Sequence, residues 1–252
     1  MKIDVWYLYH SGFAVAVGDK RLIFDYWKNT PHTGGFAAGI VDSDSIRDKE
    51  TFFFASHSHG DHYNPAIFNF SYRPAVHYVL SDDIPAREGA LMLGANEKRS
   101  FEGLEIETFL STDLGIAFLV TVDGVTIYHA GDLNWWHWDD DTPDEEAAMK
   151  NAYFDSIGRL KGKKIDLAIV PVDPRLEKSA FMGIESFDEL IGPTFFAPMH
   201  FTSNPKVIDE LMERDIAKKK DGCLIPFKTR GQKAKIYLDE GRFVLTPGKG
   251  TE

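Results

Sequence analysis

Apolar and polar positions along the chain mark out short strands first and helices later. DVWYLYH, GFAVAV and RLIFDYW are β-rich runs joined by Ser11-Gly12 and Gly18-Asp19, pairs with hairpin chemistry. A polar, glycine-containing stretch from Lys28 to Lys49 separates them from TFFFAS, a continuous apolar run of the kind expected for a strand buried on both faces. AVHYVL, LEIETFL, GIAFLVTV and VTIYHA follow as strands, the last two joined by a tight Asp123-Gly124 turn. At Thr142 the period changes. Thr142 reads as an N-cap, Pro143 as the first helical position and Glu145 as the return half of a capping box, with Asp144, Glu145 and Glu146 at the positive end of the helix dipole. The pattern therefore predicts a helix to about Leu160, then a strand DLAIVPV, a helix near Ile184 to Ile191, a strand FFAPMH, a helix from Pro205 to about Lys218, and two late strands, AKIYLD and RFVLTP. No internal repeat and no linker rich in Pro, Gly or Ser divides the chain, so one domain is expected over 1–252, with a helical, lid-like insertion at about 134–162.

Composition narrows what such a chain can do. Its 252 residues, 43% hydrophobic with 19 phenylalanines, suffice for a large packed core. No apolar stretch is long enough to cross a bilayer and the start lacks a signal-peptide pattern, so no membrane association is expected. The single cysteine, Cys223, rules out a disulfide framework and a thiolate zinc cluster, and favours the cytoplasm. The formal charge of −11 argues against a nucleic-acid partner, because phosphate binding needs a basic face. A small-molecule substrate is the expected partner. Whether the late strands complete the fold or pair with another copy in a homo-oligomer is left open by the sequence.

The chemistry concentrates in FASHSHGDHYNP, Phe54 to Pro65, at the end of the buried strand. His57, His59, Asp61 and His62 form an HxHxDH pattern, and each imidazole taken from water needs a partner that ordinary packing does not supply. A metal ion would supply one, whereas the structural alternative is a histidine-rich surface loop. Imidazole and carboxylate together suit zinc, and also manganese, iron or nickel. Two further polar residues end apolar runs: Asp132 in TIYHAGDL and His200 in FFAPMHF. Each is a ligand candidate, and each has a plain alternative, a turn residue after Gly131 and an ordinary buried histidine.

HxHxDH, a strand ending in GD some 70 residues later, and a later strand ending in PMH together resemble the metallo-β-lactamase fold superfamily of metallohydrolases. The opening YHSGFAVAV and KRLIFD is similar to the first hairpins of the branch containing ascorbate-phosphate lactonase-like hydrolases. The match runs in order from about Tyr9 to His200. The resemblance implies an α/β (α+β) chain folded as a four-layer αββα sandwich that binds one or two divalent metal ions, most simply zinc. In it His57 and His59 would serve a first metal, Asp61, His62 and His200 a second, and Asp132 would bridge them. It implies attack by a metal-bound hydroxide on a small ester, lactone or phosphoester, with Asp61 as the catalytic residue that helps orient the water. Other readings are a nuclease or phosphodiesterase, which the acidic balance opposes, di-iron redox chemistry, and a non-catalytic binding module with a degraded first site.

One departure supports the last of these. Members with two filled sites supply a further histidine before the GD strand, and the corresponding stretch here, FLSTDLGIAF, has none. Asp113, beside Thr112, is the nearest residue able to replace it as a ligand. Around the ligands, His10 either backs the site or is a turn histidine, and His129 is read as packing. The run LNWWHWDDDTPDEE places Trp135, Trp136 and His137 either in a lid or pocket wall or in core packing against the helix that follows. In PVDPRLEK, Asp173 or Arg175 either contacts substrate or forms an Asp-Pro turn with a surface ion pair.

Overall fold

The computed structural model describes residues 1–73, 75–202, 204–220 and 222–249. Contacts divide the chain into two compact units, one made of Met1–Gly94 with Phe227–Glu252, the other of Ala95–Pro226. It is a mixed α/β chain, and among the described residues each unit is built on one sheet.

The first unit carries an eight-stranded sheet. Its strands are β1 (Lys2–Tyr9), β2 (Gly12–Val17), β3 (Lys20–Phe24), β4 (Glu50–Ala55), β5 (Val76–Ser81) and β6 (Ala90–Leu93), with β13 (Lys233–Tyr237) and β14 (Arg242–Thr246) from the far end of the chain. The order is β14-β13-β1-β2-β3-β4-β5-β6, antiparallel from β14 through β3 and parallel from β3 onward. The late strands thus complete this sheet by pairing β13 with β1. Phe52, Phe53 and Phe54 are all buried, as a strand covered on both faces requires. On one of those faces Phe53 lies flat against Phe70 and Tyr78, and Leu8, Ile23, Phe36, Val41 and Ile67 close the same cluster.

The second unit carries a six-stranded sheet in the order β12-β11-β10-β9-β8-β7. These are β7 (Lys98–Phe101), β8 (Leu104–Leu110), β9 (Ile116–Val122), β10 (Val125–His129), β11 (Leu167–Pro171) and β12 (Phe195–Met199). It too changes from antiparallel pairs to parallel ones, here at β10 and β11. Among the described residues the α-helices all belong to this unit: α1 (Pro143–Gly158), α2 (Met182–Leu190), α3 (Val207–Glu213) and α4 (Asp215–Lys219). Helix α1 starts on the expected capping box, Thr142 Oγ1 accepting from Glu145 N while the Glu145 carboxylate accepts from Thr142 N.

The elements depart from the expected ones in two ways. The strands β6 and β7 have no counterpart in the sequence reading. The helix expected from Pro205 to about Lys218 is two short helices, because Arg214 is extended at ψ 162° and breaks the run. Its guanidinium leaves the helix path to pair with Glu185 and cover the Phe181 ring.

Candidate functional site

In each unit the candidate ligands lie where parallel strands end, the usual place for ligand sites in open sheets. Asp25 follows β3 and the HxHxDH loop follows β4 in the first unit; Asp132, Asp173 and His200 follow β10, β11 and β12 in the second. His10, Asp25 and His200 each take a left-handed backbone conformation, with φ of 55°, 45° and 66°. Histidine and aspartate enter that region more readily than bulkier residues, and held there at a strand end they mark functional geometry.

In the first unit one buried carboxylate organises the loop. Asp25 accepts hydrogen bonds from the Ser56 backbone N–H at 2.8 Å, the Ser56 hydroxyl at 2.7 Å and His62 Nδ1 at 2.8 Å. Because the Ser56 hydroxyl donates to Asp25, its oxygen accepts from His57 Nδ1 at 3.0 Å. These bonds place the protons of both histidines on Nδ1, which leaves Nε2 as the lone-pair nitrogen that ligation requires. The two rings lie 4.1 Å apart between centroids. Burial, reinforced by neighbouring His62, pulls the His57 pKa down to about 4, so it is neutral and able to donate a lone pair at neutral pH. Ser58 N donates to Asp83 Oδ2 at 2.8 Å, and the His62 and Tyr63 amides return to His59 O, which closes the loop into a tight turn.

His57 Nε2 stands 3.1 Å from His59 Nδ1. That is close to the edge of about 3.4 Å between two nitrogens on a tetrahedral zinc with bonds of about 2.0–2.1 Å. His10 Nε2 stands 3.4 Å from Asp61 Oδ2, and His10, Asp61 and His62 each bring one donor atom within 4.8 Å of the others. The hydrogen bond to His10 holds the Asp61 carboxyl well below its usual range, so it is an anion at neutral pH.

In the second unit His200 Nε2 and Asp132 Oδ1 are 3.4 Å apart, the same ligand-edge spacing. His200 Nδ1 donates to Asp173 Oδ2 at 2.9 Å, which again leaves Nε2 for the ligand position. Asp173 also takes the backbone N and the guanidinium of Arg175. Burial would raise its pKa, but the bonds from His200 and Arg175 prevail and hold it well below the usual carboxylate range. Thr112 pins the turn after β10: its hydroxyl donates to Asn134 O at 2.6 Å and accepts from Asn134 N at 3.0 Å. This brings a donor oxygen of exposed Asp113 within 4.8 Å of one on Asp132.

The aromatic run divides its work. Trp135 packs on Tyr153 and Phe154 of α1. Trp136 donates Nε1–H to Asp132 O at 3.0 Å and meets the His200 ring edge-on, with centroids 5.5 Å apart. Trp138 stacks on Trp136 and lies under the Arg175 guanidinium. His137 points to Glu146 of α1 at 3.8 Å. His129 is buried in the strand, where Nδ1 accepts from Gly131 N.

Asp25 was missed by the sequence reading, which took RLIFDYW as a strand. The available signal was the one that singled out Asp132 and His200, a polar residue closing an apolar run. Asp173 was named, but its contact is with His200 and Arg175.

The comparisons agree with this architecture. No family model matches the chain. A protein of Opitutus terrae named UPF0173 metal-dependent hydrolase is 27% identical over 221 residues, covering 80% of this chain and 86% of its own length. The solved structure of Igni18, described as a novel metallo hydrolase from Ignicoccus hospitalis, superposes with a TM-score of 0.66 at 19% identity, covering 94% of this chain and 99% of that one. The metallo-beta-lactamase fold protein YhfI from Bacillus subtilis superposes with a TM-score of 0.53 at 13% identity, covering 80% and 87%. Strand order, the HxHxDH loop and these likenesses converge: the chain has the metallo-β-lactamase fold.

Proposed function

We propose that this protein is a metal-dependent hydrolase acting on a small ester, lactone or phosphoester, with zinc as the ion it holds. The observation that carries the reading is the presentation of His57, His62 and His200, each with Nδ1–H committed to a hydroxyl or carboxylate, which makes Nε2 the lone-pair nitrogen. The ligand set is the one the superfamily resemblance implies: His57 and His59, then Asp61, His62 and His200, with Asp132 as the bridge. Held by these residues, a divalent ion would supply the chemistry of water activation at neutral pH and of polarising a carbonyl or phosphoryl group. Asp61, ionised and facing His10, orients the attacking water. Names of relatives such as UPF0173 metal-dependent hydrolase support the reaction class. The single intermediate-buried cysteine and the absence, among the described residues, of a helix long and apolar enough to cross a membrane support a cytoplasmic enzyme.

Asp113 takes the place of the missing histidine in this reading, and its carboxylate within 4.8 Å of Asp132 supports that assignment. Metal content by mass spectrometry, on protein purified without a metal-affinity tag, tests it. About two ions per chain, falling toward one in Asp113→Ala, is the expected result. About one ion in both proteins would remove Asp113 from the ligand set, and no metal in either would overturn the hydrolase reading.

A further inference from the structure

Buried guanidinium groups are normally compensated by a carboxylate, because an unpaired charge is costly to take out of water. Arg230 is 2% exposed and departs from this pattern. Its donors go to the backbone carbonyls of Leu8, Lys28, Thr30 and Gly39. Among the described residues no carboxylate bonds to it, and the ionisable groups acting on it are tyrosines. Four of its five N–H donors are thus engaged, while its positive charge has no carboxylate beside it among the described residues.

A second cation lies on the same ring. The Arg230 guanidinium is 5.6 Å from the centre of Tyr9, and Lys28 Nζ is 3.6 Å from it. Among the described residues Lys28 forms no ion pair. Trp27 packs on the same phenol at 5.7 Å, and its indole N–H is buried with no hydrogen-bond partner. An orphaned donor of this kind is costly unless something outside the chain accepts from it. In a chain of formal charge −11, two cations and an unused N–H around one tyrosine form a local seat for negative charge.

The seat adjoins the ligand loop within the same unit. Tyr9 directly precedes His10, which faces Asp61. Trp27 stands two residues beyond Asp25, and its carbonyl accepts from Asn64 Nδ2 at 2.7 Å, two residues past His62. We propose that Lys28 and the Trp27 indole N–H bind an anionic group of the substrate, a carboxylate or a phosphate ester, with Arg230 supplying uncompensated charge behind them. The substrate role rests on the hydrolase reading, whereas the anion seat does not. Lys28 and Trp27 give the charge-assisted and neutral hydrogen bonds, and Tyr9 holds both in place through its ring face.

The test is the shift of the Trp27 indole ¹⁵N–¹H resonance, assigned with Trp27→Phe, as the full chain with its metal is titrated in parallel with inorganic phosphate and with acetate. A saturable shift that Lys28→Gln weakens by about tenfold or more supports the seat, that factor being the loss of one charge-assisted hydrogen bond. Stronger binding of phosphate assigns a phosphate ester, and stronger binding of acetate a carboxylate. No shift at Trp27, or equal affinity in Lys28→Gln, means an adventitious anion only and overturns the proposal. Repeating the titration after chelation separates the two readings: absence of metal from the protein as purified sinks the hydrolase, whereas the Trp27 resonance of the chelated chain still decides the seat.

Discussion

His62, in the first unit, and His200, in the second, each donate Nδ1–H to a carboxylate that is fully buried, Asp25 at 2.8 Å and Asp173 at 2.9 Å. The carboxylates are secured differently. Asp25 is held by the backbone and hydroxyl of Ser56, neighbours fixed at the end of β4, and through Ser56 it also sets His57. Asp173 takes the Arg175 backbone N–H at 2.8 Å and is gripped by its guanidinium, on a side chain 55% exposed whose head rests on Trp138. The first arrangement joins backbone and a neighbouring hydroxyl and serves two histidines. The second depends in larger part on a partly solvated side chain and serves one. Removing the carboxylate should therefore cost much more in the first unit than in the second.

The largest effect is expected for Asp25→Ala. It strands the Ser56 amide, the Ser56 hydroxyl and the His62 N–H in a dry site, and each orphaned group costs about 1–3 kcal/mol. A loss of about 3–5 kcal/mol in urea unfolding is expected, together with a fall in metal content, because both proposed ligands His57 and His62 lose their support. Unfolding within about 1 kcal/mol of the native chain would show that Asp25 is not the organiser of the loop.

Asp173→Asn comes next. The side chain keeps its shape and one acceptor for His200 Nδ1–H, but no longer balances the guanidinium of Arg175. Because it backs one ligand and not two, metal affinity should fall by about tenfold to a hundredfold while the fold survives. Competition against a chromophoric chelator measures it. An unchanged affinity would remove the distinction between securing a ligand and merely filling space.

The same contrast explains what could be read from the chain. Strands with unbroken apolar faces, such as TFFFAS and GIAFLVTV, announced themselves, and so did the α1 capping box, because their signals are local. Strand β6 was obscured by its short, partly exposed run ALML, and β7 by the polar KRSF, whose place depends on pairing with β8. The HxHxDH loop was legible because four potential ligands within six residues are unusual in composition alone. Asp25 and Asp173 were harder, since their roles depend on partners 37 and 27 residues away, and nothing at either position distinguishes a carboxylate that backs a histidine from one that ends a turn. Arg175 was weighed as a substrate contact because a lone arginine beside a strand end has the right chemistry. Its three bonds to Asp173 appear only once the loop is folded.

The smallest expected effect, and the one that sharpens the comparison most, is Arg175→Ala. Half-exposed, it can be removed without opening the core, so a change in metal binding travels through one of its two contacts, Asp173 or Trp138. Affinity should fall by about tenfold or less, with a native-like melting temperature. The double variant Arg175→Ala, Asp173→Asn provides the decisive arm. If the guanidinium acts through the carboxylate, the second change adds nothing and the double variant binds metal like Asp173→Asn alone, whereas independent contributions would multiply. A multiplied loss would mean that Arg175 acts through Trp138 and Trp136, whose edge meets the same His200 ring. Arg175→Lys separates charge from geometry: an ammonium can balance Asp173 but cannot reproduce the planar fork, so partial recovery assigns the effect to charge and no recovery assigns it to orientation.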